Sequence, residues 1–217
     1  MSEPGLQHRY RAVVFDLDGL LLDTEVLWHR AEVELFRRHG DEFTFDDKLR
    51  VMGTSAAFTG EFFARRLRVE ADQASVLIHE VTELMHDELQ AQVDARPGAV
   101  ELVERLRGRL PLGLASNSPR FLVDAALQSA GFAKAFDAVV SSDDVARHKP
   151  APDLYLLVCE RLGVAPADAL ALEDTASGIA AAKAAGLTCI AVPQFAETDV
   201  SAADRVIDSL EELLAEA

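Results

Sequence analysis

Val13-Val14-Phe15-Asp16-Leu17-Asp18-Gly19-Leu20-Leu21-Leu22-Asp23-Thr24 is the stretch from which the fold is read. The apolar run Ala12 to Phe15 is too short for a helix and is bounded by a glycine turn. It predicts a strand buried on both faces. Two aspartates one residue apart, Asp16 and Asp18, stand at its carboxyl end. At about 4 Å and an effective dielectric of about 20, two carboxylates repel by on the order of 4 kcal/mol. A chain keeps such a pair by binding a cation between them, by sharing a proton, or by leaving both in water. The cation reading requires more oxygen ligands from elsewhere in the chain.

Outward from this strand the pattern turns helical. Asp23-Thr24-Glu25 offers a capping residue, and Trp28, Ala31, Leu35 and Phe36 recur at helical steps until His39-Gly40. Phe58, Phe62, Phe63 and Leu67 make a second amphipathic face. Val76, Leu77, Val81, Leu84, Met85 and Leu89 make a third. Residues 26–93 therefore read as an all-helical block, closed by Arg96-Pro97-Gly98. Beyond it, strands at 112–115, 138–140, 170–172, 189–192 and 206–207 alternate with helices at 99–106, 121–130, 153–162, 177–185 and from 210.

That alternation predicts an α/β fold: a doubly wound parallel, Rossmann-like sheet with right-handed crossovers. Residues 1–25 and 94–217 form its core domain, and 26–93 form an inserted helical cap. In such a sheet all carboxyl ends share one edge, where ligands bind. The residues closing four strands are then Asp16/Asp18, Ser116/Asn117, Ser141/Ser142 and Glu173/Asp174. The helical block, spliced in after the first strand, is expected to hang over that edge as a lid.

The totals narrow the partners. With 21 basic and 37 acidic residues the net charge is −16, which argues against nucleic acid or an anionic membrane as a main partner. An anionic substrate must then be captured by local positive groups or a metal, against the overall field. Cys159 and Cys189 lack a metal-type spacing and read as buried free thiols of a reducing cytosol. No apolar run approaches the ~18 residues of a membrane span, and Met1 to Gln7 is polar, so a soluble cytoplasmic protein without a signal peptide is expected.

Four acids at one edge, Asp16, Asp18, Glu173 and Asp174, are hard oxygen ligands with no paired His or Cys and point to Mg²⁺. Lys149 lies in His148-Lys149-Pro150-Ala151-Pro152-Asp153, where two prolines stiffen the loop. A lysine there can pair with a carboxylate and with phosphoryl oxygens. Ser116 can donate its hydroxyl to another such oxygen, with Asn117 beside it. Together these groups make a clamp for a phosphoryl group and a carboxylate to attack it. The remaining polar residues carry plainer readings. Asp143 and Asp144 read as a solvated acidic loop, and His79 and His86 as a solvated helix face. His148 stands near the site without a role, while Trp28 and His29 are placed to reach substrate from the lid.

These motifs, in this order, resemble the haloacid dehalogenase-like phosphatase superfamily, in the subgroup of beta-phosphoglucomutase and small sugar-phosphate phosphatases. The likeness rests on Asp16-Leu17-Asp18-Gly19, Ser116, Lys149 with Pro150-Ala151-Pro152-Asp153, and Glu173-Asp174 followed by Gly178. It spans nearly the whole chain. The resemblance implies that Asp16 attacks phosphorus to form an aspartyl-phosphate, and that Asp18 protonates the leaving oxygen and later activates water. It implies Mg²⁺ held by Asp16, the Asp18 carbonyl and Asp174 with Glu173 assisting, and phosphoryl oxygens held by Lys149 and Ser116. Because halide leaves unprotonated, Asp18 argues against a halide-removing enzyme. Val51-Met52-Gly53-Thr54-Ser55-Ala56-Ala57 is apolar and small where the resembling mutases carry a lysine and an arginine. Hydrolysis of a small phosphorylated metabolite, a sugar phosphate foremost, is thus the expected activity, and a monomer the expected state. A phosphosugar mutase and a catalytically silent phosphate- and metal-binding protein are the alternatives.

Overall fold

The computed structural model describes residues 5–52, 54–90 and 93–217. Gly53 of the segment just quoted, and residues 91 and 92 of the predicted helical block, lie outside them. The chain divides into two compact units, Met1–Asp23 with Val93–Ala217, and Thr24–Gln92.

The first unit is built on six parallel strands: β1 (Ala12–Phe15), β2 (Leu112–Ala115), β3 (Ala138–Val140), β4 (Ala169–Glu173), β5 (Thr188–Ala191) and β6 (Arg205–Val206). Their order is β3-β2-β1-β4-β5-β6. β1 lies between its partners in parallel register, Val13 opposite Leu112 on one side and Leu170 on the other. All four residues of β1, all four of β2 and all five of β4 are buried, as strands covered on both faces must be. The strand order reverses at β1, which puts the sheet's topological switch point, where such sheets bind ligands, at the carboxyl ends of β1 and β4. Helices Asp153–Leu162 and Ala176–Ala185 flank the sheet, and Val158, Tyr155, Ile179 and Ala182 from them join Val14, Ala115 and Ala171 in one core. Cys159 and Cys189 are free and buried there; burial pushes the two thiols up to about 11 and about 12, so both stay protonated.

The second unit holds helices Glu25–Arg38, Phe45–Val51, Ala56–Leu67 and Ala74–Leu89. Its core is an aromatic cluster in which the Phe36 ring lies 5.0 Å from Phe43 and 5.4 Å from Phe63, edge-on to the latter. Such pairs contribute about 0.5–1.5 kcal/mol each beyond the area they bury. Among the described residues no helix is long and apolar enough to cross a membrane.

Several local expectations are corrected. Leu27, not Trp28, supplies the core face of the helix Glu25–Arg38 with Ala31, Leu35 and Phe36. Phe58 and Val76, assigned to amphipathic faces, are exposed. Leu6–Arg9 and Phe45–Val51 are helices that the periodicity does not signal. The segment from Leu210 is a 3-10 helix rather than an α-helix, ending at Ala215.

Candidate active site

Three strand ends, those of β1, β2 and β4, carry candidate residues. Asp16 is the first residue past β1, and its N–H still donates to Leu172 O of β4 at 3.0 Å. Glu173 closes β4, and Asp174 follows. Ser116 follows β2 with its N–H on Val140 O at 3.0 Å. Gly19 turns the chain away from Asp18 with φ +84°, and a Cβ there would run into the Asp174 carboxylate. Only glycine satisfies both demands.

Lys149 ties these ends together. Its Nζ donates to Asp16 Oδ1 at 2.5 Å, to Glu173 Oε1 at 2.6 Å and to the Ala115 carbonyl at 2.8 Å. Its main chain is held from both sides by Asn117, whose Oδ1 accepts from Lys149 N at 2.9 Å and whose Nδ2 donates to Lys149 O at 3.4 Å. Asn117 is thus a clamp on the lysine loop. Beneath the ammonium lies Tyr155, with Nζ 5.2 Å from the ring centroid and the phenol donating to Glu173 Oε1 at 2.6 Å.

Glu173 is completely buried, which a carboxylate tolerates only when its oxygens are satisfied. Oε1 accepts from Lys149 and Tyr155; Oε2 accepts from Asp174 N at 3.2 Å and Thr175 Oγ1 at 3.3 Å. A Cβ at Gly178 would overlap this carboxylate, so the helix Ala176–Ala185 approaches it through a glycine. Asp18 turns its side chain the other way, accepting at Oδ2 from Ser118 Oγ at 2.8 Å and Ser116 Oγ at 3.2 Å.

Asp16, Glu173 and Asp174 each present an oxygen within 4.8 Å of the others, and all three are buried. Burial pushes Asp16 up to about 8; Lys149 pulls the other way, and Glu173 and Asp18 add to the rise. Burial lowers the Lys149 ammonium's affinity for its proton, but Asp16 and Glu173 outweigh it and hold lysine above its ordinary range. One ammonium thus does not balance the three clustered carboxylates. A small divalent cation with oxygen preference fits both the charge deficit and the donor set.

Other candidates fall outside this cluster. Asp144 is not in a solvated loop: it accepts from Arg120 at 2.5 Å, Arg161 at 2.8 Å and Ser141 N at 2.8 Å, tying β3 to its flanking helices. Asp143 accepts from Arg120 N at 2.9 Å, capping the helix Arg120–Ser129. Asp144 also closes a local capping box with Ser141, while the arginine partners of both acids lie some 20 residues away, beyond any local pattern. His148 is exposed, and His86 pairs with Gln90 on an exposed face. Tyr155 and Ser118 touch site carboxylates yet carry no motif signal, one reading as a core aromatic and the other as turn chemistry.

A model of the haloacid dehalogenase-like hydrolase family matches residues 10–186. Among curated proteins, the chain is 32% identical to the fructose-1-phosphate phosphatase YqaB of Escherichia coli over 187 residues, covering 86% of this chain and 98% of that one. It is 34% identical to a phosphorylated carbohydrates phosphatase of Thermotoga maritima over 179 residues, covering 81% and 82%. Among solved structures, that of CbbY from Rhodobacter sphaeroides in complex with phosphate superposes with a TM-score of 0.84 at 31% identity, over 95% of this chain and 98% of that one.

Proposed function

The chain belongs to the haloacid dehalogenase-like hydrolase family, and from that premise we propose that it is a Mg²⁺-dependent phosphatase that hydrolyses small phosphomonoesters, sugar phosphates foremost, through an aspartyl-phosphate on Asp16. The observation that carries this reading is the Lys149 ammonium on Asp16 Oδ1, at the sheet's switch point and beside Asp174.

Asp16, the Asp18 main-chain carbonyl and Asp174 would hold the cation, with Glu173 assisting. When bound, it supplies the positive charge that lets a carboxylate approach a phosphate dianion. Lys149 fixes Oδ1 of Asp16, so Oδ2 is the attacking atom. As the Asp16–phosphorus bond forms, the ester P–O bond breaks and the leaving oxygen takes a proton from Asp18. Water then attacks phosphorus, Asp18 takes its proton, and the Asp16 carboxylate is regenerated. Ser116, the Asn117 main-chain N–H and Lys149 bind the phosphoryl oxygens; Ser116 turns from Asp18 toward the substrate while Ser118 keeps Asp18 in place. The enzyme works as a cytoplasmic monomer with no nucleic-acid or membrane partner, the latter in keeping with its net charge of −16.

Fructose 1-phosphate and p-nitrophenyl phosphate, each assayed with Mg²⁺ and with a chelator, test this reading. Release of inorganic phosphate is expected only with Mg²⁺, falling by at least roughly 10²-fold on chelation. No release in either condition would leave a silent binding protein, and an isomerised sugar phosphate in place of inorganic phosphate would make it a mutase.

A further inference from the structure

The two oxygens of Glu173 differ in what holds them. Oε2 is served by its own loop, from Asp174 N and Thr175 Oγ1. Oε1 is the one that meets Lys149, and its second donor is the Tyr155 hydroxyl at 2.6 Å. Tyr155 is fully buried in the sheet core, in the helix that begins four residues after Lys149. Its ring also lies under the ammonium, 5.2 Å from Nζ. One side chain therefore meets both members of the Lys149–Glu173 pair. Burial and the adjoining Glu173 keep the phenol protonated, so it remains a donor.

We infer that Tyr155 is a positioning residue: by donating to Glu173 it shares the negative charge that would otherwise draw Lys149 away from Asp16, and so keeps the ammonium on the nucleophile. The physical reason is competition. A buried carboxylate oxygen with one donor attracts that donor more strongly than an oxygen with two. Without the hydroxyl, the ammonium moves toward Glu173, and Asp16 loses the bond that orients it. The inference rests on the phosphatase reading for its kinetic consequence, but not for its structural one.

Tyr155→Phe removes only the hydroxyl. With Mg²⁺ and fructose 1-phosphate, kcat is expected to fall roughly tenfold, the scale of one charge-assisted hydrogen bond, with KM changed less than about twofold. The Mg²⁺ concentration for half-activation stays the same. Val158→Ala, a core cavity on the same helix, is the control: it lowers the melting temperature and leaves kcat within about twofold. A Tyr155→Phe variant that keeps wild-type kcat overturns the inference. So does a kcat loss matched by Val158→Ala, or one accompanied by a proportional rise in the Mg²⁺ requirement. The ¹H–¹⁵N resonance of the Lys149 ammonium gives a readout without turnover. It should shift and lose exchange protection in Tyr155→Phe but not in Val158→Ala, and an unmoved signal overturns the inference. If the wild type hydrolyses nothing, the phosphatase reading fails, and this resonance alone still decides the role of Tyr155.

Discussion

Each unit of this molecule buries one lysine between two carboxylates, and the two triads behave differently. In the sheet unit Lys149 lies 2.5 Å from Asp16 and 2.6 Å from Glu173, with its side chain 3% exposed. In the helical unit Lys48 lies 3.0 Å from both Glu25 and Glu32, with its side chain 11% exposed. The first is built into a network: the Ala115 carbonyl takes the third ammonium hydrogen, Tyr155 and Thr175 serve Glu173, and Asp174 stands beside Asp16. Among the described residues the second has no such surroundings, and its Lys48–Glu32 hydrogen bond is 3.3 Å long. A buried ion triad is thus no sign of chemistry by itself. What distinguishes Lys149 is an excess of carboxylates at a sheet edge, an arrangement that a divalent cation fits.

The sharpest way to break this contrast is to remove each lysine in turn. Lys149→Met is expected to lower kcat by roughly 10³-fold, as loss of a preorganised positive donor does. Lys48→Met is expected to leave kcat within about threefold and to cost stability of about 1–3 kcal/mol, the scale of an unsatisfied buried partner. Steady-state kinetics with urea unfolding on both variants checks this, and equal kinetic losses would erase the distinction.

A smaller effect concerns Glu32. Burial raises it to about 7 from an ordinary 4.5; Lys48 opposes the rise and Glu25 adds to it. The folded state therefore binds this proton more tightly than the unfolded chain. The stability it contributes is full below about pH 4.5 and is lost as pH rises through about 7. Glu32→Gln should gain on wild type by on the order of 3 kcal/mol across that window, read by urea unfolding at pH 4.5 and pH 8. A gap that does not change with pH would mean that Glu32 ionises normally.

The two units were also unequally legible. The bounds of β1, β2 and β3 follow from short apolar runs cut by turn residues, and their carboxyl ends name Asp16, Ser116 and their neighbours directly. The helical unit resisted. Phe45–Val51 has no apolar period; it is held by the Thr44–Asp47 capping box and by Arg66 on Asp47 at 2.8 Å, nineteen residues away. Trp28 and Leu27 fit the same periodicity shifted by one residue, and only packing chose Leu27. Within the site, a motif names residues by type and spacing, so Lys149 and Glu173 are visible. What holds them is not: Asn117 on the lysine main chain and Tyr155 on Glu173 are tertiary contacts.

The central claim is that Asp16 carries the phosphoryl group. A rapid acid quench of the enzyme with ³²P-labelled substrate and Mg²⁺, followed by peptide mapping, tests it most directly. Label on the peptide containing Asp16, absent from Asp16→Asn, is the predicted result. Label on another residue, or phosphate released at full rate by Asp16→Asn, would contradict it.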